Sequence, residues 1–79
     1  MNRDEIRGKI QELLRDVIDD DTIVVTDGTT ADDVKGWDST NHVRLMIALE
    51  SALNIQFDTD EIIAPETVGE LITLIQSKL

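Results

Sequence analysis

Cysteine is absent from this 79-residue chain, so no disulfide ties it and no thiolate can hold a metal. Its one histidine cannot supply a zinc site of the usual Cys/His kind either. A chain without cysteine fits a reducing, cytoplasmic setting. Aromatic residues are almost missing: Trp37 and Phe57 are the only two. One proline and four glycines leave too few turn-makers for a many-stranded sandwich or barrel. No apolar run approaches the roughly 20 residues of a membrane span. Met1-Asn2-Arg3-Asp4-Glu5 lacks the apolar stretch of a secretory leader, so none is expected. Basic residues are also few. Seven stand against seventeen acids, for a net charge of −10. Such a field repels phosphate backbones and anionic membranes, which sets both aside as partners. It steers the chain toward basic protein surfaces, or simply keeps a small protein dissolved.

What remains is aliphatic. Hydrophobic residues make up 41% of the chain, nearly all of them Ile, Leu, Val and Ala. Ile6, Ile10, Leu13, Leu14, Val17 and Ile18 recur at helical spacing and predict a first helix over about 3–18. Asn2 and Glu5 fit its capping box, and Asp19-Asp20-Asp21 oppose its macrodipole and end it. Gly8 inside this helix marks a close contact or nothing. From Asp19 to Asp38 no helical period holds. This long first loop needs pinning, and Ile23, Val25 and Val34 are the candidate pins. Asp27-Gly28 reads as a turn.

A second helix is predicted from Asp38 or Ser39 to about Leu53. Val43, Leu45, Met46, Ile47, Ala48, Leu49, Ala52 and Leu53 go most of the way round it, which suits a centrally packed helix better than a partner-binding face. Asn54 sits where a left-handed helix end is expected. Asp58 or Thr59 can cap a brief turn over Asp60-Glu61-Ile62-Ile63, which Ala64-Pro65 breaks. Thr67 and Glu70 form a second capping-box pattern. Val68, Leu71, Ile72, Ile75 and Leu79 stripe a last helix, with Lys78 near its C-terminus. The expectation is one all-α domain over 1–79: a small bundle of three main helices and one short helix, with a long first loop.

Two kinds of chemistry can be tested on spacing. Ser39 and His42 share a helix face, but a nucleophilic dyad also needs an orienting group and a sheltered oxyanion site, for which this chain has little room. His42 therefore reads as a helix-surface residue. An EF-hand requires Gly at its sixth position; counting from Asp19 gives Val24, and from Asp58 gives Ile63. No metal site is expected. Ser39, directly after Asp38 at a helix start, has a plain explanation: one of the two is the N-cap. On cap preference alone that explanation wins.

The wider sequence offers another. Gly36-Trp37-Asp38-Ser39 ahead of an apolar helix resembles the phosphopantetheine attachment site of acyl carrier and peptidyl carrier proteins. Leu49-Glu50-Ser51-Ala52-Leu53-Asn54-Ile55-Gln56-Phe57 is similar to the end of that family's second helix and the link after it. Thr67-Val68-Gly69-Glu70-Leu71 is similar to the start of its last helix. The likeness spans essentially the whole chain. It implies a carrier that is not itself an enzyme. A phosphopantetheinyl transferase would attach 4'-phosphopantetheine from coenzyme A to Ser39, with Asp38 helping to engage the transferase and its metal ion. The arm would carry acyl or aminoacyl groups as thioesters, as in fatty acid, polyketide or nonribosomal peptide biosynthesis. Loading and transfer enzymes would meet the monomeric chain at the loop before Ser39 and at Thr40, Asn41, Arg44 and Ile47, with Trp37 as a further contact or, better, as an anchor for the loop.

Three departures from the family pattern stand out. Thr40 follows the serine where Leu is commonest. The second helix carries His42 and Arg44 early and only Glu50 as an acid after Ser39. Asn54 stands where Gly is common. They point to a specialised pathway. The alternative reading is an acidic helical interaction module in which Ser39 is only a helix cap.

Overall fold

Each apolar stripe forms a helix. The computed structural model describes residues Met1–Leu79, and in it α1 spans Arg3–Ile18, α2 Ser39–Leu53, α3 Thr59–Ile63 and α4 Val68–Lys78. A single 3₁₀ turn, Ala31–Asp33, interrupts the long connection, and there are no strands. At the start of α1 the Asn2 side chain accepts from the Glu5 amide at 2.8 Å, and Glu5 accepts from the Asn2 amide at 3.0 Å. Both α1 and α2 end in a left-handed residue, Asp19 at φ 59° and Asn54 at φ 55°. Asn is at ease in that region. Asp19 adds a negative charge at the negative end of the helix dipole, which is why the pattern stops there.

The core is built from α1 (Ile6, Ile10, Leu14), α2 (Leu45, Met46, Leu49) and α4 (Val68, Leu71, Ile72, Ile75). α1 packs against both of the others. Each fully buried aliphatic side chain contributes about 1.5–3 kcal/mol before chain entropy is subtracted. The expectation that α2 is packed on most sides does not hold. Its buried residues form one stripe, while Val43 and Ile47 are 44% and 57% exposed. With α1 on one side and the last helix bound to α1 rather than to a second face of α2, nothing covers them.

The long connection is tied down as its composition requires. Ile23 and Val25 are buried and Val34 packs against the core. Polar bonds hold the backbone between them: the Arg15 Nε donates to the Ile23 carbonyl at 2.7 Å, and the Val25 amide donates to Gln11 at 3.1 Å. Asp27 then joins three elements. Its carboxylate accepts from Arg3 and Arg7 on α1, at 3.3 and 3.1 Å. Its carbonyl accepts from the Gly69 amide at 2.7 Å, and the Thr29 carbonyl accepts from the Val68 amide at 2.9 Å. The loop thereby satisfies two of the amides that every helix start leaves without partners. Gly69 is required by this approach, since a Cβ there would lie 2.9 Å from the Asp27 carbonyl oxygen. Gly8, by contrast, faces open space.

The second half of the chain is also cross-tied. Glu50 accepts from the Phe57 amide at 2.8 Å, which fixes the link after α2. Asp58 and Glu61 form a full capping box on α3. Lys78 reaches back from the end of α4 to Glu61 at 2.8 Å and lies over the Phe57 ring. The Thr67–Glu70 box forms only in half. Thr67 accepts from the Glu70 amide, but the Glu70 carboxylate turns to the amide of Glu66.

Two glycines should respond in opposite ways. Gly8→Ala should raise the unfolding free energy by up to about 1 kcal/mol, as an open helix-interior site does. Gly69→Ala should lower it by about 1–3 kcal/mol, because backbone must move to admit the methyl group. Urea denaturation of the two variants checks both signs. The Asp27 contacts make a pH prediction. The hydrogen bond from Arg3, opposed by partial desolvation and aided by Arg7, holds the Asp27 carboxyl below the usual carboxylate range. A group with a lowered folded-state pKa stabilises the fold above its unfolded value, and that support is lost as pH falls through its folded one. The stability gap between wild type and Asp27→Asn should therefore close on acidification from about pH 7 to about pH 2. A gap of constant size over that range would contradict the assignment.

Candidate functional site

The connection delivers Ser39 through a short, tightly bonded turn. The Trp37 amide donates to the Val34 carbonyl at 3.2 Å and the Asp38 amide to the Gly36 carbonyl at 3.0 Å. Gly36 sits at φ 92°, with a notional Cβ only 2.9 Å from the Ile18 methyl, so both conformation and space call for glycine. Asp38 caps α2, its carboxylate accepting from the Asn41 amide at 2.8 Å. Asn41 in turn donates from its side chain to the Gly36 carbonyl at 2.8 Å. Ser39 is the first residue of α2, exposed, and takes no part in the cap. One of the two residues is indeed the N-cap, and it is Asp38, not Ser39: the neighbouring carboxylate does that work and leaves the hydroxyl free.

Trp37 is 9% exposed and serves as an anchor. Its indole Nε1–H donates to Nδ1 of His42 at 3.1 Å, and the two rings stack with centroids 6.0 Å apart and planes 29° from parallel. The other ring nitrogen of His42, Nε2, lies 2.7 Å from the Ile62 carbonyl oxygen of α3. His42 is thus half-buried between elements, not the helix-surface residue its position suggested, because α3 folds back over the first turns of α2. With both ring nitrogens engaged it has none left for the Ser39 hydroxyl. The Ser–His dyad is not built.

Between the start of α2 and α3 lies an open cleft of about 650 Å³. Ser39, His42 and Val43 line it from α2, and Ile62, Ile63 and Pro65 from the opposite wall. Ile63 is 74% exposed and extends the apolar surface outward. Of the residues singled out from the sequence, Thr40, Arg44 and Ile47 are exposed on α2, whereas Trp37 and Asn41 are spent on internal contacts. Arg44 joins none of the ion pairs. Glu50, the one acid within α2, has one carboxylate oxygen turned to the Phe57 amide. The α3 wall was not foreseen. Its only trace in the sequence is the spacing that sets the sole Trp and sole His on either side of a helix start.

These roles separate in stability measurements. Asp38→Ala should cost about 1 kcal/mol as a lost cap. Ser39→Ala should stay within about 0.5 kcal/mol of wild type, like other surface changes. Trp37→Ala should cost about 3 kcal/mol or more, as removal of a buried indole does. Thermal or urea unfolding reads all three, and a costly Ser39→Ala would restore the capping role.

Comparison with known proteins finds a relative among solved structures. No family model matches the chain, and no curated protein matches it. Among solved structures, the chain is similar to the solution NMR structure of a holo acyl carrier protein from Geobacter metallireducens, with a TM-score of 0.81 and 37% sequence identity. The match covers 90% of this chain and 82% of that one. Identity at that level over most of both chains reaches past a shared fold, and it agrees with the helix order and the sequence likeness around Ser39: the chain belongs to the acyl carrier protein family.

Proposed function

We propose that Ser39 is the attachment point for 4'-phosphopantetheine, delivered from coenzyme A by a phosphopantetheinyl transferase. The observation that carries this reading is the exposed Ser39 hydroxyl, released from capping by Asp38 and set at the edge of a cleft. The residues present fit the group. The first amides of α2 and the positive end of its dipole favour a phosphodiester on Ser39. When bound, the arm supplies the thiol that a cysteine-free chain lacks, and with it thioester linkage to acyl or aminoacyl cargo. Asp38 uses one carboxylate oxygen in the cap, which leaves the other for the transferase and its metal ion. Trp37 and Asn41 act by holding the turn in place.

Cargo and pathway follow from the surroundings. The core side chains are closed against one another, with ten fully buried. Cargo therefore rests outside the core, along the cleft, which suits small aminoacyl or short acyl groups. Partners meet Thr40, Arg44 and Ile47 on α2. A partner that docks through a basic patch finds a single acid within that helix, Glu50, with one oxygen already bonded to the Phe57 amide, and Arg44 opposes it. This favours a dedicated biosynthetic pathway over the housekeeping one, with the carrier acting as a cytoplasmic monomer.

Incubation with a promiscuous transferase, coenzyme A and magnesium, followed by intact mass measurement, tests the attachment. A gain of one phosphopantetheine is expected for wild type and none for Ser39→Ala. No gain in wild type, or a gain that survives Ser39→Ala, would remove the reading.

A further inference from the structure

The chain has one histidine and one tryptophan, and they are bonded to each other beside the cleft. An indole Nε1–H can only donate, so Nδ1 of His42 must be bare to accept it. A backbone carbonyl can only accept, so Nε2 must carry the hydrogen that meets the Ile62 oxygen. A single form of the ring satisfies both partners: the neutral imidazole protonated at Nε2. No other tautomer or charge state fits.

What this ring joins is unequal in strength. Trp37 is buried in the core cluster. α3, by contrast, has five residues, too few to stand as a helix without outside support. Its Asp58–Glu61 box is internal to the helix. The main helix packing runs between α1 and α2 and between α1 and α4, so α3, which packs only Ile62 against the core, depends largely on local ties. Two polar ties reach it from other helices. Lys78 holds Glu61 from α4, and His42 holds the Ile62 carbonyl from α2. That carbonyl lies in the last turn of α3, where helical amides no longer reach. The His42 tie is the one on the cleft, because His42 and Ile62 both line it.

We propose that His42 is a positioning residue that latches α3 to the Trp37 turn and so sets the width of the cleft beside Ser39. Neutral imidazole closes the latch. A second proton on Nδ1 would bring N–H against the Trp37 N–H, two donors with no acceptor between them, and the ring must then give up one wall of the cleft. The loss falls on α3, the wall with least packing of its own. Other titratable groups face this region. Asp38 lines the cleft from the start of α2 and Asp32 from the 3₁₀ turn; Glu66, in the link before α4, borders the far side of the Trp37–His42 pair. Glu61 is held by Lys78. A variant that keeps these acids but cannot titrate at position 42 separates their effect from that of the ring. Whether the latch shelters or exposes a tethered group rests on attachment at Ser39; the latch itself does not.

The test uses the unmodified chain, so its outcome is independent of the attachment reading. In wild type, as pH is lowered, the indole N–H resonance of Trp37 and the amides of Ile62, Ile63 and Ala64 should shift with the same midpoint as the His42 ring. Amides of Ile10 and Ile72 should not follow it. Acrylamide quenching of Trp37, the sole tryptophan fluorophore, should rise with that same midpoint. His42→Gln, whose amide offers an acceptor and a donor but no titration, should hold the closed state and abolish both responses. At neutral pH, His42→Ala should speed hydrogen exchange of the α3 amides about fivefold, the size expected for one lost hydrogen bond, and leave α1 and α4 unchanged. Shifts at Trp37 and α3 that ignore the His42 midpoint, or persist in His42→Gln, would overturn the proposal. So would equal acceleration in α1 and α4, which would make His42 a general stabilising residue. Should His42→Ala fail to fold, the wild-type and His42→Gln titrations decide alone.

Discussion

The bond from the Gly69 amide to the Asp27 carbonyl is the point on which the rest of the structure turns. It fastens the middle of the long connection to the start of α4, while the Asp27 carboxylate fastens the same residue to Arg3 and Arg7 of α1. A free loop of this length would wander, and the entropy of closing it grows only slowly with length, so a few well-placed ties suffice. Divided at Asp27, the connection becomes two shorter spans. The first lies along α1 through Ile23 and Val25. The second has only to carry the chain to the start of α2, where Gly36 and Trp37 fix its last turn against Ile18 and the core.

That arrangement explains a division of roles between adjacent residues. A helix start needs a side-chain acceptor, and a carrier needs an unencumbered hydroxyl. Asp38 meets the first need, which leaves the Ser39 hydroxyl free for the attachment proposed above. The charge distribution divides in a similar way. The net −10 acts at a distance, attenuated over about 10 Å at moderate salt. At contact range α2 offers instead an apolar stripe, Val43 and Ile47, with a lone cation in Arg44. Long-range attraction to basic surfaces and short-range recognition need not select the same partner. Contact chemistry is what discriminates, because a mismatched charge at close range costs more than screened attraction returns.

The sequence made some of this legible and hid the rest for an identifiable reason. Helix periods, the Asn2 cap, the left-handed Asn54 and the pins Ile23 and Val25 are local, and each was readable from a few neighbouring residues. Arg3 with Asp27, Glu50 with Phe57, and Lys78 with Glu61 are polar pairs between separate segments, and periodicity carries no information about them. The same limit misled the reading of α2. Its apolar residues run most of the way round, but only the positions of other helices decide which of them are covered. Gly8 and Gly69 look alike in sequence, and one faces solvent while the other meets a backbone oxygen. At the candidate site, Ser39 and Asp38 were found by likeness to a family. The opposite wall was missed because α3 is too short to announce where it packs.

Stability and mobility are consequently assigned to different parts of a very small protein. α1 and α4, with the pinned connection between them, hold most of the buried aliphatic surface and the Asp27 ties. α3 carries little of either and is held by two polar ties, one on each side. Elements that must yield to a partner or a cargo are drawn from the least stable part of a fold, since moving them then costs little of the total. Placing the weakest helix across the cleft from Ser39 allows that wall to move while the turn that presents the serine stays fixed. The Trp37–His42 pair lies on the boundary between the two regimes, buried on the side that must hold and hydrogen-bonded on the side that can let go.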